Sequence, residues 1–206
     1  MSKIKNIMGI ATLALLAPLA QAASLIVDGG FEAVAPNNVF QTFSATSTMG
    51  GWTIEAGSVD LIGSYWQPSS GNNSLDLNGL NAGTIAQSFA TTPGQTYVVS
   101  FMMAGNPDAG ADIKMITAGV NGGSNAFSFA TGSTNHAAMG WVPQSFSFVA
   151  DAELSTLRFS GNGNNSYYGA ALDDISVTAV PEPETYGMLL AGLGLVGFAA
   201  RRKRAA

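Results

Sequence analysis

Between residues 24 and 180 no apolar repeat of three to four residues lasts long enough to make a helix. The chain is instead a succession of short β-favouring runs cut by glycine, asparagine and proline. That pattern predicts an all-β sandwich or barrel. The expected strands are residues 24–27, 51–54, 58–62, 74–77, 84–90, 96–104, 112–120, 126–130, 141–149, 155–160 and 169–178. No internal repeat is present, which excludes a solenoid.

Alternation sets the faces. In SLDLNG, Leu75 and Leu77 share one side and Asp76 and Asn78 the other; in SFSFVA, Phe146 and Phe148 alternate with Ser145 and Ser147. Both read as half-buried strands. TYVVSFMMA (96–104) is apolar at almost every position, as for a central strand covered on both faces. Pro93-Gly94 before it marks a tight turn. The stretches 68–74, 119–125 and 160–169, rich in Gly and Asn, read as loops at the ends of the sandwich.

The ends differ from the middle. Lys3 and Lys5, an uncharged apolar run from Ile7 to Leu19, and Ala20-Gln21-Ala22 have the layout of a secretory leader, so residues 1–22 are set aside with cleavage expected before Ala23. The C-terminus carries Val180-Pro181-Glu182-Pro183, an apolar stretch from Tyr186 to Ala200, and the basic cluster Arg201 to Arg204. Fifteen helical residues rise about 22 Å, short of the roughly 30 Å hydrocarbon core, so this stretch suits a transient span better than a permanent anchor. Arg201 and Arg202 would hold the extreme C-terminus on the cytoplasmic side, and the two prolines would keep the preceding segment extended and open to a protease. The domains expected are therefore a leader (1–22), a sandwich (23–179) and a C-terminal segment (180–206).

Charge narrows the partners. Residues 24–180 hold eleven acids against Lys114 and Arg158 alone, a net of 2 − 11 = −9. Such a surface excludes nucleic acid and suits neutral polar ligands such as sugars. The chain has no cysteine, which removes thiol nucleophiles and thiolate metal sites. His136, the single histidine, lies in a loop-like stretch and reads as a solvated residue, and no Gly-x-Ser-x-Gly elbow is present. Carboxylates that could serve glycoside hydrolysis are Asp60, Asp76, Asp108, Asp112, Asp173 and Asp174, but sequence does not give their separations.

Sugar binding needs aromatic faces flanked by amides and hydroxyls. Tyr65 and Trp66 beside Asn72 and Asn73, and Tyr167 and Tyr168 beside Asn164, supply these in two loops. Edge packing is the alternative for each ring. Trp52 and Trp141 sit in strand-like runs and read as core.

Two resemblances extend this reading. LIVDGGFE (25–32), GWTIEAGSVDLI (51–62), NSLDLNG (73–79), GTIAQSFATTPGQTYVVSFMMAGNP (83–107) and ALDDISV (171–177) resemble, in order, the galactose-binding-like extracellular domains found in plant cell-wall proteins and in bacterial choice-of-anchor C proteins. The resemblance implies a jelly-roll sandwich that binds polysaccharide without cleaving it. It also implies a structural Ca2+ between first and last strands, with Glu32 and Asp173 or Asp174 as ligands. Strand parity places Asp173 on the core face with Ile175 and Val177, and Asp174 opposite. The alternative is that Asp173 and Asp174 only accept backbone N–H bonds at a turn.

The C-terminal segment is similar to the PEP-CTERM sorting signal of Gram-negative bacteria. That similarity implies handling by an exosortase-type enzyme at Val180, Pro181, Glu182 and Pro183, with Arg201 and Arg202 as the basic stop. It also implies an association with exopolysaccharide. The expectation is thus an exported, surface- or matrix-associated, non-catalytic carbohydrate-binding protein, joined to the inner membrane at least transiently through residues 186–200. A surface protein that adheres to other proteins, and a glycan-active hydrolase, are the competing readings.

Overall fold

In the computed structural model, the described residues are 23–109, 112–163, 167–181 and 183–204. The expected leader lies outside them, as do Asn164 and Glu182. The described chain forms twelve strands: β1 (Phe40–Ser44), β2 (Thr48–Met49), β3 (Trp52–Ala56), β4 (Ser58–Ile62), β5 (Ser74–Asp76), β6 (Thr84–Ala90), β7 (Thr96–Gly105), β8 (Ile113–Val120), β9 (Asn125–Ala130), β10 (Val142–Val149), β11 (Leu154–Gly161) and β12 (Ala170–Ala179). A helix, α1 (Pro183–Arg204), follows.

The strands make two six-stranded sheets, ordered β1-β4-β5-β12-β7-β10 and β2-β3-β6-β11-β8-β9. Every pairing is antiparallel. From β5 onward most connections cross from one sheet to the other, which makes the sandwich a jelly roll. β4 and β6 have the bounds expected from sequence, and Gly94 (φ 84°) takes the left-handed corner of the predicted turn, where Gln95 N–H donates to the Thr92 carbonyl at 3.1 Å.

The core lies between the sheets. Val99, Phe101 and Met103 of β7, with Leu61, Leu75 and Leu172, face Trp52, Ile54, Ile85, Leu157 and Phe159. Phe101 meets Phe159 edge to face across the gap, with centroids 5.0 Å apart, and Trp52 packs on Phe159 at 6.3 Å. Truncating either phenylalanine would remove a contact between layers, at about 3–5 kcal/mol.

Several expectations are corrected. Residues 24–27 are not a strand; Ser24 and Leu25 lie alongside β12, where Leu25 N–H reaches the Val177 carbonyl. β1 and β2 were missed, because FQTFSATSTM shows neither a clean alternation nor a dense apolar run. β7 is half-exposed at Val98, Ser100 and Met102, so one of its faces is only partly covered. Asp76 and Asn78 do point away from the leucines, but both are buried.

The parity argument for Asp173 fails. A register shift between Asp173 and Ser176, with Asp174 at φ 50°, breaks the alternation, so Leu172 pairs with core Met103 and Asp173 with half-exposed Met102. Helix α1 begins at Pro183 and runs through Arg204, longer at both ends than the expected 186–200. Proline at a first helical position loses no hydrogen bond, which explains the earlier start. Among the described residues no helix is long and apolar enough to cross a membrane, so the transmembrane reading of 186–200 is not carried.

Candidate functional site

β1, β4, β5 and β12 lie side by side in the first sheet, and their ladder sets Thr42 against Asp60, Asp60 against Asp76, and Asp76 against Ala171. Residues directly opposite in a ladder point to the same face, here the one turned away from the core. Thr42, Asp60 and Asp76 of this row floor a cleft of about 210 Å³. Phe40, Tyr65, Trp66, Leu80, Tyr167 and Tyr168 wall it, and Asn106 and Asp108 complete its polar lining. Sequence placed Tyr65 with Trp66 and Tyr167 with Tyr168 in separate loops; the fold brings both pairs to one opening.

The floor is a set of carboxyls held by donors. The Thr42 hydroxyl donates to Asp60 at 2.6 Å. Asp76 accepts from Asn106 Nδ2 at 2.9 Å and from the N–H groups of Asn78 and Gly169 at 2.9 and 3.0 Å. A β-carbon on Gly169 would fall 2.3 Å from Asp76 Oδ1, so only glycine lets the backbone reach that oxygen. Burial pushes the Asp76 carboxyl up to about 7; the Asp60 charge adds to this and the three donors pull against it. Burial raises Asp60 too, against the pull of Thr42.

One wall is braced by a residue that sequence reasoning set aside. His136 Nε2 pairs with Asp108 Oδ1 at 2.6 Å, the Tyr65 hydroxyl donates to Asp108 Oδ2 at 2.7 Å, and the Tyr65 and His136 rings lie 4.6 Å apart. Gln67 N–H donates to the His136 carbonyl, and Trp141 Nε1 to the Gln67 carbonyl, lacing the two loops together. His136 is therefore a bracing residue as well as a solvent-exposed one, its side chain 39% exposed; a lone loop histidine gives no sequence signal of the partners the fold supplies. The bond to Asp108 pushes the Tyr65 hydroxyl up to about 12, with its proton committed to that carboxylate.

Trp66 lines the cleft yet is only 3% exposed, with Nε1 donating to Ser74 Oγ at 2.8 Å. It is as much core as wall. Tyr167, at 56% exposed and φ 70°, and the half-buried Tyr168 are the more accessible rings. Asn72 and Asn73 are not in the cleft. Asn73 Nδ2 bonds the Phe31 and Val34 carbonyls, and both asparagine N–H groups donate to Glu32 Oε1 at 2.7 and 2.8 Å.

That corner gathers Glu32, Asp173 and Asp174, the expected metal ligands, around Gly30 and the loop 68–73. Asp173 Oδ2 accepts the N–H groups of Ser69 and Ser70 at 2.9 and 3.2 Å, its Oδ1 accepts Asp174 N–H at 2.7 Å, and Ser70 Oγ donates to Asp174. Burial pushes Asp173 up to about 7. Three carboxylates match a hard cation in kind, but backbone N–H groups already face several of their oxygens. Among the described residues no three His, Asp or Glu side chains converge as a metal site.

A family described as "Protein of unknown function (DUF642)" matches residues 24–178, and the PEP-CTERM protein-sorting motif matches residues 179–204. Halomucin of Haloquadratum walsbyi is 27% identical over 177 residues, which is 80% of this chain and 2% of that protein's length. Among solved structures, TmCBM61 in complex with β-1,4-galactotriose is similar over 77% of this chain and 100% of its own, at 12% identity and TM-score 0.49. CBM35 from Paenibacillus barcinonensis is similar over 68% of this chain and 99% of its own, at 20% identity and TM-score 0.44.

Proposed function

Since the chain belongs to the DUF642 family, described by no activity, its role has to be read from the cleft, and we propose that it is an exported, non-catalytic carbohydrate-binding protein. The observation that carries this is the meeting of Tyr65 and Trp66 with Tyr167 and Tyr168 at one cleft of about 210 Å³, room for a sugar ring, floored by groups that accept hydroxyl protons. The resemblance to extracellular sugar-binding domains supports the same reading. The PEP-CTERM motif supports the rest of it: presentation to an exosortase-type enzyme and a final place at the cell surface or in an exopolysaccharide matrix.

The test is retention of the full-length chain, kept in mild detergent, on a panel of immobilised polysaccharides. Binding to at least one, lost in Tyr168→Ala, is expected. Retention by none, with capture of a surface protein instead, would favour adhesion and overturn the proposal.

A structural calcium ion at Glu32, Asp173 and Asp174 is a separate proposal. The shared corner of carboxylates supports it and the N–H groups on their oxygens oppose it. A melting temperature raised by millimolar calcium in the native chain but not in Asp174→Asn would establish the ion; no rise would dispose of it.

A further inference from the structure

The cleft combines two features that are independent of each other and call for the same ligand chemistry. Its walls carry the aromatic rings of Phe40, Tyr65, Trp66, Tyr167 and Tyr168, and the faces of such rings carry negative electrostatic potential and attract cations. Its floor presents Asp60 beside Asp76, ladder partners on adjacent strands, with Asp108 close by and no lysine or arginine among the residues that line it.

The donors on the floor are already committed. Thr42 is turned onto Asp60, Asn106 onto Asp76 and Tyr65 onto Asp108. A neutral sugar can donate its hydroxyls to these acceptors but brings no countercharge, and a uronic acid would meet repulsion. An ammonium group would supply the donors and the countercharge together. The two bases of the sandwich lie outside the lining: Arg158 is bonded to Glu55 on the other sheet, and Lys114 Nζ donates to the Ala109 carbonyl, where its charge acts on Asp76 and Asp108, so the carboxylate left for a ligand cation is Asp60.

We propose that the cleft takes a sugar ring bearing a primary ammonium group, that is, a hexosamine unit of a partly deacetylated polysaccharide. The ring lies against Tyr168 or Tyr65, and the ammonium group sits over Asp60, whose ladder partner Asp76 is buried and already holds three N–H donors. This rests on the carbohydrate-binding reading and names its ligand class.

Calorimetric titration of the full-length chain with three hexasaccharides of equal length tests it: glucosamine, N-acetylglucosamine and glucose units, all β-1,4-linked. The glucosamine hexamer is expected to bind roughly tenfold more tightly than the other two, the order set by a partly desolvated cation against rings and carboxylates. Asp60→Asn should collapse that ratio toward one. Should the variant fold poorly, salt gives a second reading on the native chain: the advantage of the glucosamine hexamer should shrink between low and high sodium chloride. Equal or tighter binding of the acetylated or glucose hexamer overturns the hexosamine assignment and leaves the carbohydrate reading standing. Binding of no oligosaccharide, charged or neutral, overturns both. A lysine-rich peptide held as tightly as the glucosamine hexamer, with the same loss in Asp60→Asn, overturns a polysaccharide ligand in favour of a protein.

Discussion

Asp76 and Asp173 are both buried carboxyls pushed up to about 7 from an ordinary 3.8. An acid whose folded value exceeds its unfolded one binds extra protons only in the folded chain, so its contribution favours folding below about 4 and is lost as the pH climbs to about 7. Asp60, raised in the same direction, adds to this. The melting temperature should therefore be several degrees higher at pH 5 than at pH 8, with the slope reduced in Asp173→Asn; a melting temperature that is flat or rises over that range would contradict the burial argument. The ring residues separate likewise. Trp66→Ala removes a buried indole and its bond to Ser74, so it should cost about 3–5 kcal/mol of stability in denaturant titration. Tyr168→Ala, at a half-buried position, should leave stability within about 1 kcal/mol and act on binding.

At the scale of elements, the loop 68–73 is held by side chains distant in the chain, Glu32 from the segment before β1 and Asp173 from β12. Glu32 binds the N–H groups of Asn72 and Asn73, and Asp173 those of Ser69 and Ser70. Glu32→Gln keeps the size and replaces a charged acceptor by a weaker neutral one, so about 1–3 kcal/mol of stability should be lost, with faster hydrogen exchange at residues 69–73 as the specific sign. This loop also shows where sequence reading stopped. β5 and β10, where SLDL and SFSF alternate, and β4 and β6, bounded by turn residues, were legible because alternation and turn residues are local signals. The bulge at Asp174 was not, since a single left-handed residue leaves no trace in an apolar pattern, and it reversed the parity on which Asp173 was placed. Tyr65, Trp66, Tyr167 and Tyr168 were recognisable from their loops, whereas Asp60, Asp76, Asp108 and His136 joined them only through ladder register and loop lacing. Asn72 and Asn73 show the converse: their composition suited sugar, and the fold used them as clips.

For the whole molecule, β12 links its two ends. Its first residues pair with Asp76 beneath the cleft and its last, Ala179, pairs with Tyr97 at the opposite end. The sorting segment leaves from there without a spacer, as Val180 N–H bonds the Thr96 carbonyl and Gln95 Nε2 the Val180 carbonyl. Limited proteolysis should accordingly cut at or after Pro181 and leave the sandwich whole; a stable fragment ending before Thr178 would mean that β12 is not integral to the sheet. Nine strand residues separate the level of Ala171 from Val180, about 30 Å at roughly 3.3 Å each. At physiological ionic strength that is nearly four screening lengths of about 8 Å. Whatever charge lies on the surface that receives the tail, its field has decayed before it reaches Asp60 and Asp76, so the cleft's preference among ligands should be the same on a tethered chain as on a released one.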